Sequence, residues 1–255
     1  MSSTQQRTAI VTGSAKGIGL AVATELTARG YRVVISDIDA EASDRAAASL
    51  EGAISIPCDV RDEEQVKALV DGAVEQLGRL DLMVPNAGVA IVAPLLETDL
   101  AAWRTVTSVN LDGVFLCLRY AAPAIMASGG GNMVAIASVT GVNGTALVGS
   151  YAAAKAAVIN LSKTLAVELR DHGVRVNAVL PGFIGTDLVM DRAAEFEGYL
   201  GLPAGGFDGL IAQKQGRYGT PEEVARAVAF LADPEQGWVT GTALTLDGGL
   251  SGSLL

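Results

Sequence analysis

Short apolar runs alternate along the chain with longer stretches whose apolar residues recur every three or four positions. The first four runs, which predict buried strands, are RTAIVTG (7–13), YRVVISD (31–37), AISIPCDV (53–60) and RLDLMVPNAG (79–88). Three further runs, MVAIAS, GVRVNAVLPGF and TGTALTLDGG, bring the number to seven. This order predicts an α/β fold in which residues 1–255 form one domain, with a seven-stranded parallel sheet and helices on both faces.

The composition narrows the class of protein without identifying a function. Half of the 255 residues are hydrophobic, which is enough for one large core. With 18 Lys and Arg against 28 Asp and Glu, the net charge of −10 opposes binding to nucleic acid or to an anionic membrane surface. The N-terminal residues lack the apolar segment of a signal peptide, so we expect a cytoplasmic protein.

Neither the longest uncharged stretch nor the cysteines indicate a function. No charged residue occurs from Tyr120 through Ala154, but Pro123 and a run of glycines interrupt the stretch, so we predict no membrane span. Cys58 and Cys117 lack metal-ligand spacing, and the single histidine is far from both in sequence. We therefore expect neither a metal site nor a disulfide.

The turn between the first predicted strand and helix, TGSAKGIG (12–19), carries glycines at positions 13, 17 and 19. Glycines let the backbone turn tightly and approach a pyrophosphate, which can accept hydrogen bonds at the start of the following helix. Asp37 ends the second strand eighteen residues after Gly19, where a carboxylate can bind the ribose of an adenine dinucleotide. The alternative is a tight turn followed by a solvated aspartate.

Residues at the ends of the predicted strands are expected to converge. In a parallel sheet with helices on both faces, ligands bind beyond the carboxyl ends of the strands. The residues found at five of those ends are Gly13, Asp37, Asp59, Asn86 and Ser138. The sequence therefore predicts a single crevice at this edge of the sheet.

A hydroxyl, a phenol and an ammonium follow the fifth strand. Tyr151 and Lys155 lie four positions apart in a predicted helix, with Ser150 as a possible N-cap, so their side chains share a face. A cation near the positive end of a helix is disfavoured by about 0.3–1 kcal/mol, which suggests that Lys155 lowers the pKa of Tyr151 instead. Ser138 could supply a hydrogen bond to a reacting oxygen. The alternative is chance, because a Tyr and a Lys at this spacing are common in helices.

An isolated asparagine and a glycine-rich segment require separate interpretations. Asn110 interrupts an apolar helical stripe, and by itself it is best interpreted as a hydrogen-bonded core residue, since burial without a partner costs about 1–3 kcal/mol. The segment at about 185–219 is too apolar for a linker and too rich in glycine for a rigid helix pair. We interpret it as a mobile lid over a mostly apolar substrate pocket.

In this order, the motifs resemble those of the short-chain dehydrogenase/reductases over essentially the whole chain. The segments that carry the resemblance are TGSAKGIG (12–19), CDV (58–60), NAG (86–88), PGFIGT (181–186) and LDGG (246–249). The cofactor-binding residues that the resemblance implies are Gly13, Lys16, Gly17, Ile18, Gly19, Asp37, Asp59, Val60, Asn86, Ala87, Gly88, Tyr151, Lys155, Pro181, Gly182, Ile184 and Thr186.

The same resemblance implies an activity and catalytic roles. It implies a Rossmann fold, nicotinamide-dependent oxidation of an alcohol or reduction of a carbonyl, and a homotetramer. Asn110, Ser138, Tyr151 and Lys155 fall on the catalytic tetrad of the family. Tyr151 is then the general acid/base, and Lys155 holds the ribose hydroxyls and, with the positive nicotinamide, lowers the pKa of the phenol. Ser138 orients the substrate oxygen, and Asn110 anchors a water that links Lys155 to solvent.

One residue departs from the family pattern. Pro85 stands where the family often has Asn before the NAG motif. Proline removes a backbone N–H and fixes φ, so the hydrogen bonding at this strand end is an open question for the structure.

The cofactor is predicted to be NAD(H), although two residues favour opposite choices. Lys16 stands where NADP-using relatives often place a basic residue, and Asp37 where NAD users place an acid. A carboxylate about 4 Å from a 2′-phosphate charge is repelled by about 4 kcal/mol at an effective dielectric constant of about 20. Lys16 can turn to solvent, so its attraction should recover only part of this energy.

The predicted activity is therefore NAD(H)-dependent oxidation or reduction of a small, uncharged, largely apolar alcohol or ketone. A 3-oxoacyl thioester reductase is one alternative, but only scattered Arg192, Lys214 and Arg217 supply positive charge near the lid. A non-catalytic NAD-binding regulator is the other, and the intact tetrad argues against it. Apolar and Ala-rich helices around 101–127 and 150–171 add to the expectation of a homotetramer.

Overall fold

Seven strands form the centre of the computed structural model, which describes residues 6–252. They are Thr8–Thr12 (β1), Arg32–Ser36 (β2), Ile54–Ser55 (β3), Leu82–Val84 (β4), Gly131–Ile136 (β5), Val174–Pro181 (β6) and Ala243–Leu246 (β7). Their order is β3-β2-β1-β4-β5-β6-β7, and all neighbours are parallel. The predicted seven-stranded parallel sheet is confirmed. Of the domain predicted over 1–255, residues 1–5 and 253–255 lie outside the described residues.

The third strand is shorter than the predicted run 53–60. Pro57 has no N–H to donate, so the regular ladder stops before it. The N–H groups of Ile56 and Cys58, on either side of the proline, still donate to the carbonyls of Ile35 and Asp37, both at 3.0 Å. The segment therefore stays beside β2 as it leads to Asp59.

Helices cover both faces of the sheet, as predicted. They are Gly17–Ala28 (α1), Ala40–Ala48 (α2), Glu63–Leu77 (α3), Leu100–Thr107 (α4), Val114–Ala127 (α5), Gly149–Leu169 (α6), Asp187–Met190 (α7), Ala193–Leu200 (α8), Gly206–Gln215 (α9) and Pro221–Ala232 (α10). Leu26 of α1 and Leu231 of α10 belong to the buried cluster on one face. Leu69 of α3 and Leu118 of α5 belong to the cluster on the other.

The strand order reverses beside β1. From β1 the chain continues outward to β2 and β3 and then returns to β4 on the opposite side of β1. The connections on the two sides of this point diverge, which leaves a space beyond the carboxyl ends of β1 and β4 where ligands bind in sheets of this kind.

A π-helical turn, Ser108–Gly113, joins α4 to α5 and makes the helical stretch Leu100–Ala127 continuous. By length and composition alone, this is the one candidate membrane span among the described residues. Half of its most apolar window is buried inside the protein, and Leu118 and Ile125 are fully buried. We therefore interpret it as a core helix of the α/β layer.

The helix that carries Tyr151 and Lys155 begins differently from the prediction. Its N-cap is Val148, which makes no side-chain capping bond, and Gly149 is its first residue. A Cβ atom at Gly149 would lie 2.7 Å from Leu95 Cδ1, the end of a flexible and exposed side chain that can shift. Ser150 lies inside the first turn and is buried. The prediction that Ser150 caps this helix is wrong.

The lid segment contains more regular structure than predicted. It forms α7, α8 and α9, and the rings of Phe196 and Phe207 stack with their centroids 4.8 Å apart between the last two. Glycines at 201, 205 and 216 have positive φ and lie at helix ends. The segment therefore does form a helix pair despite its glycines, because some of them bound the helices and the helices accommodate Gly198 and Gly209. The mobility of the lid stays a prediction.

Candidate functional site

A crevice of about 670 Å³ lies at the predicted edge of the sheet. The structure brings nearly all of the predicted site residues to its walls. Those that line it are Gly13, Lys16, Gly17, Ile18, Asp37, Asp59, Val60, Asn86, Ala87, Gly88, Ser138, Tyr151, Lys155, Pro181, Gly182, Ile184 and Thr186. The two predicted residues that do not line the crevice are Gly19 and Asn110. The convergence of the five strand ends is therefore confirmed.

The glycine-rich turn has the shape and the free donors that a phosphate requires. Gly13 and Gly17 have φ angles of 61° and 59°, which residues with side chains rarely adopt. A Cβ atom at Gly13 would lie 2.7 Å from Ala87 Cα, and one at Gly19 would lie 2.3 Å from the Gly13 carbonyl oxygen. Gly19 therefore serves the packing beneath the turn. The helix α1 has no side-chain cap and no acidic residue in its first turn, so its N-terminus suits an anion.

Asp37 presents a carboxylate to the crevice from the end of β2. Its Oδ2 accepts a hydrogen bond from the Ala15 N–H at 3.1 Å, and its Oδ1 accepts one from the Asp39 N–H at 3.3 Å. These bonds fix the carboxylate next to the glycine-rich turn. The residues at this position therefore fit the adenosine end of a dinucleotide.

Lys16 does not point freely into solvent. Its Nζ atom lies 2.7 Å from Asp187 Oδ2 in the lid segment, and both side chains are largely exposed. Hydrogen bonding to Lys16 lowers the pKa of the Asp187 carboxyl. The prediction that Lys16 turns to solvent missed this partner, which lies 171 positions away in the chain.

Asp59 is held by a nearby arginine. Both carboxylate oxygens accept hydrogen bonds from Arg61, at distances of 2.6 to 3.0 Å, and this pairing lowers the pKa of Asp59. The guanidinium of Arg61 occupies much of the hydrogen-bonding capacity of the Asp59 carboxylate. Asp59 and Val60 nevertheless line the crevice at the end that adjoins Asp37.

The NAG motif is tied to the first strand. Asn86 donates from Nδ2 to the carbonyls of Thr12 and Gly13, each at 2.9 Å, and its backbone N–H donates to Thr12 Oγ1. Pro85 follows the last residue of β4, and its carbonyl accepts a hydrogen bond from the Ile136 N–H at 3.0 Å. The strand end therefore remains connected on both sides of the proline, which answers the question that Pro85 raised.

Ser138, Tyr151 and Lys155 meet on one wall of the crevice. Lys155 Nζ donates to the Ile136 carbonyl at 2.7 Å and lies 5.4 Å from the centroid of the Tyr151 ring. Ser138 Oγ accepts hydrogen bonds from the backbone N–H and the hydroxyl of Thr140, at 3.2 and 3.0 Å. The three side chains are thus positioned by the end of β5 and the first turns of α6.

Burial dominates the titration of this cluster. Burial raises the pKa of Tyr151 to about 12, and interaction with the Ser138 hydroxyl opposes the shift only in part. Burial lowers the pKa of Lys155 to about 8. In the protein alone, desolvation therefore outweighs any lowering of the Tyr151 pKa by the ammonium of Lys155. The combined effect of Lys155 and a positive nicotinamide stays a prediction.

Asn110 lies behind the crevice wall, in the π-helical turn, and is fully buried. Its Oδ1 accepts from the Val89 N–H at 3.1 Å, and its Nδ2 donates to the carbonyls of Val89 and Val106 at 2.6 and 3.0 Å. These bonds tie the loop after β4 to the helical stretch, as the core interpretation of Asn110 predicts. Its role in holding a water stays a prediction.

A second cavity of about 80 Å³ opens beside Tyr151. It shares five residues with the crevice, which are Ser138, Tyr151, Gly182, Leu188 and Val189. Its remaining walls are mostly apolar and come from the loop after β4, the segment before α6 and the lid. These walls are Ala90, Val92, Val139, Thr140, Thr145, Val148, Phe183, Arg192 and Phe196.

The sequence patterns missed most of these pocket residues. Val92 and Val148 carry no motif, and they come together because the Ala93 N–H donates to the Leu147 carbonyl at 2.8 Å. Arg192 was noted only as a scattered basic residue. Its place on the pocket wall depends on the turn between α7 and α8, which helical periodicity does not predict.

Known proteins resemble the chain along nearly its whole length. A family model described as Enoyl-(Acyl carrier protein) reductase matches residues 13–251. A cis-4-hydroxycyclohexanecarboxylate dehydrogenase from Sinomonas cyclohexanicum is 44% identical over 96% of both chains. A galactitol 2-dehydrogenase (L-tagatose-forming) from Cereibacter sphaeroides is 39% identical over 94% of this chain and 93% of its own.

Solved structures show the same relationship. A single-residue variant of actinorhodin polyketide ketoreductase, determined with NADPH, superposes with a TM-score of 0.94 at 33% identity, covering 99% of this chain and 100% of its own. These relatives are dehydrogenases and a ketoreductase, enzymes that carry out oxidation and reduction by hydride transfer. Similarity of this extent shows that the chain belongs to the short-chain dehydrogenase/reductase family, whose members are oxidoreductases that use a nicotinamide cofactor.

Proposed function

We propose that the protein transfers a hydride between NAD(H) and a small, largely apolar alcohol or ketone, with Tyr151 as the general acid/base. One observation supports this most strongly: Tyr151 and Ser138 line both the crevice and the apolar pocket. A substrate oxygen at this junction can contact the phenol and the hydroxyl while its carbon faces the crevice. The rest of the substrate then lies against apolar walls.

The residues of the crevice fit a dinucleotide. The glycine-rich turn and the start of α1 would bind the pyrophosphate, Asp37 the adenosine ribose, and Lys155 the ribose hydroxyls at the reactive end. When bound, the nicotinamide supplies the centre that donates or accepts the hydride. Pro181 and Thr186, on opposite ends of one short segment, would border that reactive end.

Proton transfer falls to Tyr151 in both directions. With a pKa of about 12, the phenol is protonated at neutral pH and can donate to the oxygen of a ketone during reduction. During oxidation it must accept the proton of the alcohol, which requires positive charge nearby to stabilise the phenolate. Lys155, whose Nζ lies 5.4 Å from the centroid of the Tyr151 ring, would supply this charge. Ser138 would hold the substrate oxygen by a hydrogen bond.

NAD(H) is the preferred cofactor because of charge. Asp37 would repel a 2′-phosphate, and Lys16, the cation nearest to the turn, is already paired with Asp187. Pairing reduces the attraction that Lys16 can offer to a phosphate, so the energetic argument for NAD(H) becomes stronger than the sequence alone suggests. The NADPH in the ketoreductase structure belongs to that protein.

A 3-oxoacyl thioester reductase is the second candidate, because the description of the matching family model names an acyl carrier protein. Binding of an acidic carrier protein requires a basic patch on the surface of the enzyme. Arg217 is paired with Glu223 at 2.6 Å, and Arg192 lines the pocket. This leaves Lys214 as the exposed cation of the lid, and it is too little for such a patch. A non-catalytic NAD-binding regulator is the third candidate, and it has no need of Tyr151.

We further propose a cytoplasmic homotetramer that binds neither nucleic acid nor membrane. Phe115 on α5 and Val167 on α6 are 43% and 64% exposed, which suits packing of these helices against a second subunit. The net charge of −10 opposes polyanion binding. Light scattering at micromolar concentration tests the assembly, and a mass near the monomer value of 26.0 kDa would contradict it.

A substrate panel tests the activity. Cyclic and open-chain secondary alcohols and ketones, each with NAD(H) and with NADP(H), are followed at the absorbance of the reduced nicotinamide, and acyl thioesters form a separate arm. We expect turnover of alcohols or ketones with NAD(H). Turnover confined to the thioesters would establish the second candidate, and cofactor binding without any turnover would establish the third.

A further inference from the structure

We infer that the substrate carries a carboxylate, and that Arg192 binds it at the wall of the apolar pocket. The inference rests on the proposed function and specifies its substrate class: an alcohol or ketone with an apolar body and one carboxylate away from the reacting carbon. It changes one part of the sequence prediction, which was an uncharged substrate.

Arg192 is the one charged side chain on the pocket wall. The other lining residues are apolar, or carry only a hydroxyl, as Ser138, Thr140 and Tyr151 do. The side chain is partly buried and lies in the turn between α7 and α8. Placing a guanidinium against apolar walls removes part of its hydration, which is costly unless a partner replaces the lost water.

No described acidic residue supplies that partner. Acidic residues outnumber basic ones in this chain by 28 to 18, and nearby cations do find them: Lys16 pairs with Asp187, and Arg217 with Glu223. Among residues 6–252, Arg192 forms no ion pair. The one hydrogen bond that its side chain makes to these residues runs from Nε to the Ala90 carbonyl at 2.8 Å.

That single bond orients the guanidinium and leaves its other donors available. An arginine has five N–H donors in a planar fork, and Nε uses one of them here. The remaining four belong to the two terminal nitrogens, which match the two oxygens of a carboxylate. Because Ala90 also lines the pocket, the anchored guanidinium is held at the wall and not in open solvent.

The alternative is a structural role, in which Arg192 only ties the lid to the loop after β4. A structural role predicts that loss of Arg192 weakens every substrate equally. An anion-binding role predicts a loss that depends on the charge of the substrate. The two can therefore be separated by probes that share one shape and differ in charge.

The test uses 4-hydroxycyclohexanecarboxylate, its carboxamide and cyclohexanol, together with an open-chain set built in the same way. The enzyme variants are Arg192→Met, Arg192→Lys and, as a control for general charge, Lys214→Met on the exposed face of the same lid. For the wild type we expect kcat/KM to be higher for the carboxylate than for the carboxamide. Arg192→Met should lower kcat/KM for the carboxylate by about 10- to 100-fold, mainly through KM, as loss of a hydrogen bond to a charged group does.

The same variant should change kcat/KM for the carboxamide and cyclohexanol by no more than about threefold, and Arg192→Lys should restore part of the loss. Calorimetry with cyclohexanecarboxylate in the presence of NAD should show weaker binding to Arg192→Met but unchanged binding to Lys214→Met. Equal losses for charged and neutral probes would overturn the inference and leave the proposed function standing. If no alcohol or ketone is turned over by the wild type, the proposed function fails instead.

Discussion

The crevice and the pocket share a wall but are constructed in different ways. The crevice is made of backbone and short side chains at strand ends, and hydrogen bonds such as those from Asn86 to Thr12 and Gly13 fix its atoms. The pocket is made of side chains from loops and lid helices that pack around Phe207. Hydrogen bonds are directional whereas apolar contacts are not. We therefore expect the crevice to tolerate fewer changes of ligand than the pocket, which a few substitutions can reshape.

Tyr151 belongs to both cavities, so its loss should have the largest effect. Tyr151→Phe keeps the ring but cannot exchange a proton, and we expect kcat to fall by about 10²–10⁴-fold. Cofactor affinity and unfolding temperature should stay close to those of the wild type. Tyr199→Phe, on the exposed side of the lid, is the matched control. Retention of more than a tenth of the wild-type kcat would contradict the assignment of Tyr151 as the acid/base.

A change confined to the crevice should alter the choice of cofactor but not of substrate. Asp37→Ala removes the carboxylate that would repel a 2′-phosphate, and the repulsion of about 4 kcal/mol before screening corresponds to at most roughly 10³-fold. We expect the ratio of kcat/KM for NAD(H) over NADP(H) to fall by about 10- to 10³-fold.

The control for this change is Asp44→Ala, which removes one exposed negative charge from α2. It should leave the ratio of the two cofactors unchanged, and substrate preference should be unaffected in both variants. A wild-type enzyme that already prefers NADP(H) would show that Asp37 does not control the choice.

A change confined to the pocket should weaken the binding of substrate but not the binding of cofactor. Phe207 is buried, stacks on Phe196 and meets the edge of Phe183 at a centroid distance of 5.6 Å. Phe207→Ala leaves a cavity under the lid, and such changes cost about 3–5 kcal/mol of local packing. We expect the KM of the substrate to rise by about tenfold or more, while the Kd of the cofactor changes by less than about twofold.

Phe230→Ala on α10 is the control for this variant, because Phe230 is 46% exposed and outside the pocket. Cofactor affinity is measured by fluorescence and substrate KM by steady-state kinetics. If Phe207→Ala weakens the binding of cofactor and the binding of substrate to the same extent, the packing of the pocket is not independent of the crevice.

The smallest expected effect concerns stability and pH. The folded protein holds Lys155 with a pKa of about 8, below its ordinary value of 10.5, so a buried ammonium destabilises the fold. This penalty is fully present below pH 8 and disappears as the pH rises toward 10.5, where the unfolded lysine also loses its proton. Lys155→Met should therefore be more stable than the wild type at pH 7, by about 1–2 kcal/mol after the lost bond to Ile136 is offset.

Denaturant unfolding at pH 7, 8, 9 and 10 measures this difference. It should be largest at pH 7 and shrink from pH 8 to pH 10, while the shift of the Tyr151 pKa affects both proteins alike and cancels. Lys163→Met, an exposed lysine on the same helix, should show no such trend. A constant difference at every pH would mean that burial of the ammonium carries no penalty.

The sequence predicted the crevice well because the strands whose ends form it can be recognised from the regular alternation of strand and helix patterns. Each strand end is marked by a change from an apolar run to Gly, Asp, Asn or Ser, and a parallel sheet brings all such ends to one edge. The predictions that failed depend on contacts between distant segments. Ser150 is not the cap of α6 because the helix begins one residue earlier, at Gly149, which lies beside Leu95, and Lys16 is paired because the lid places Asp187 beside it.

The pocket was least predictable. The glycines of the lid suggested irregular structure, yet Gly201, Gly205 and Gly216 lie where helices end, and Gly198 and Gly209 lie inside helices. The position of Arg192 follows from both the short helix α7 and its bond to Ala90, and neither leaves a local pattern.

Leu188 and Val189 line the crevice on one side and the pocket on the other. A ligand that changes the position of these two residues from one cavity also changes the walls of the other. Thermodynamic linkage then requires reciprocity: if bound cofactor raises the affinity for substrate by some factor, bound substrate raises the affinity for cofactor by the same factor. Any coupling between the two binding events that passes through Leu188 and Val189 must therefore be equal in both directions.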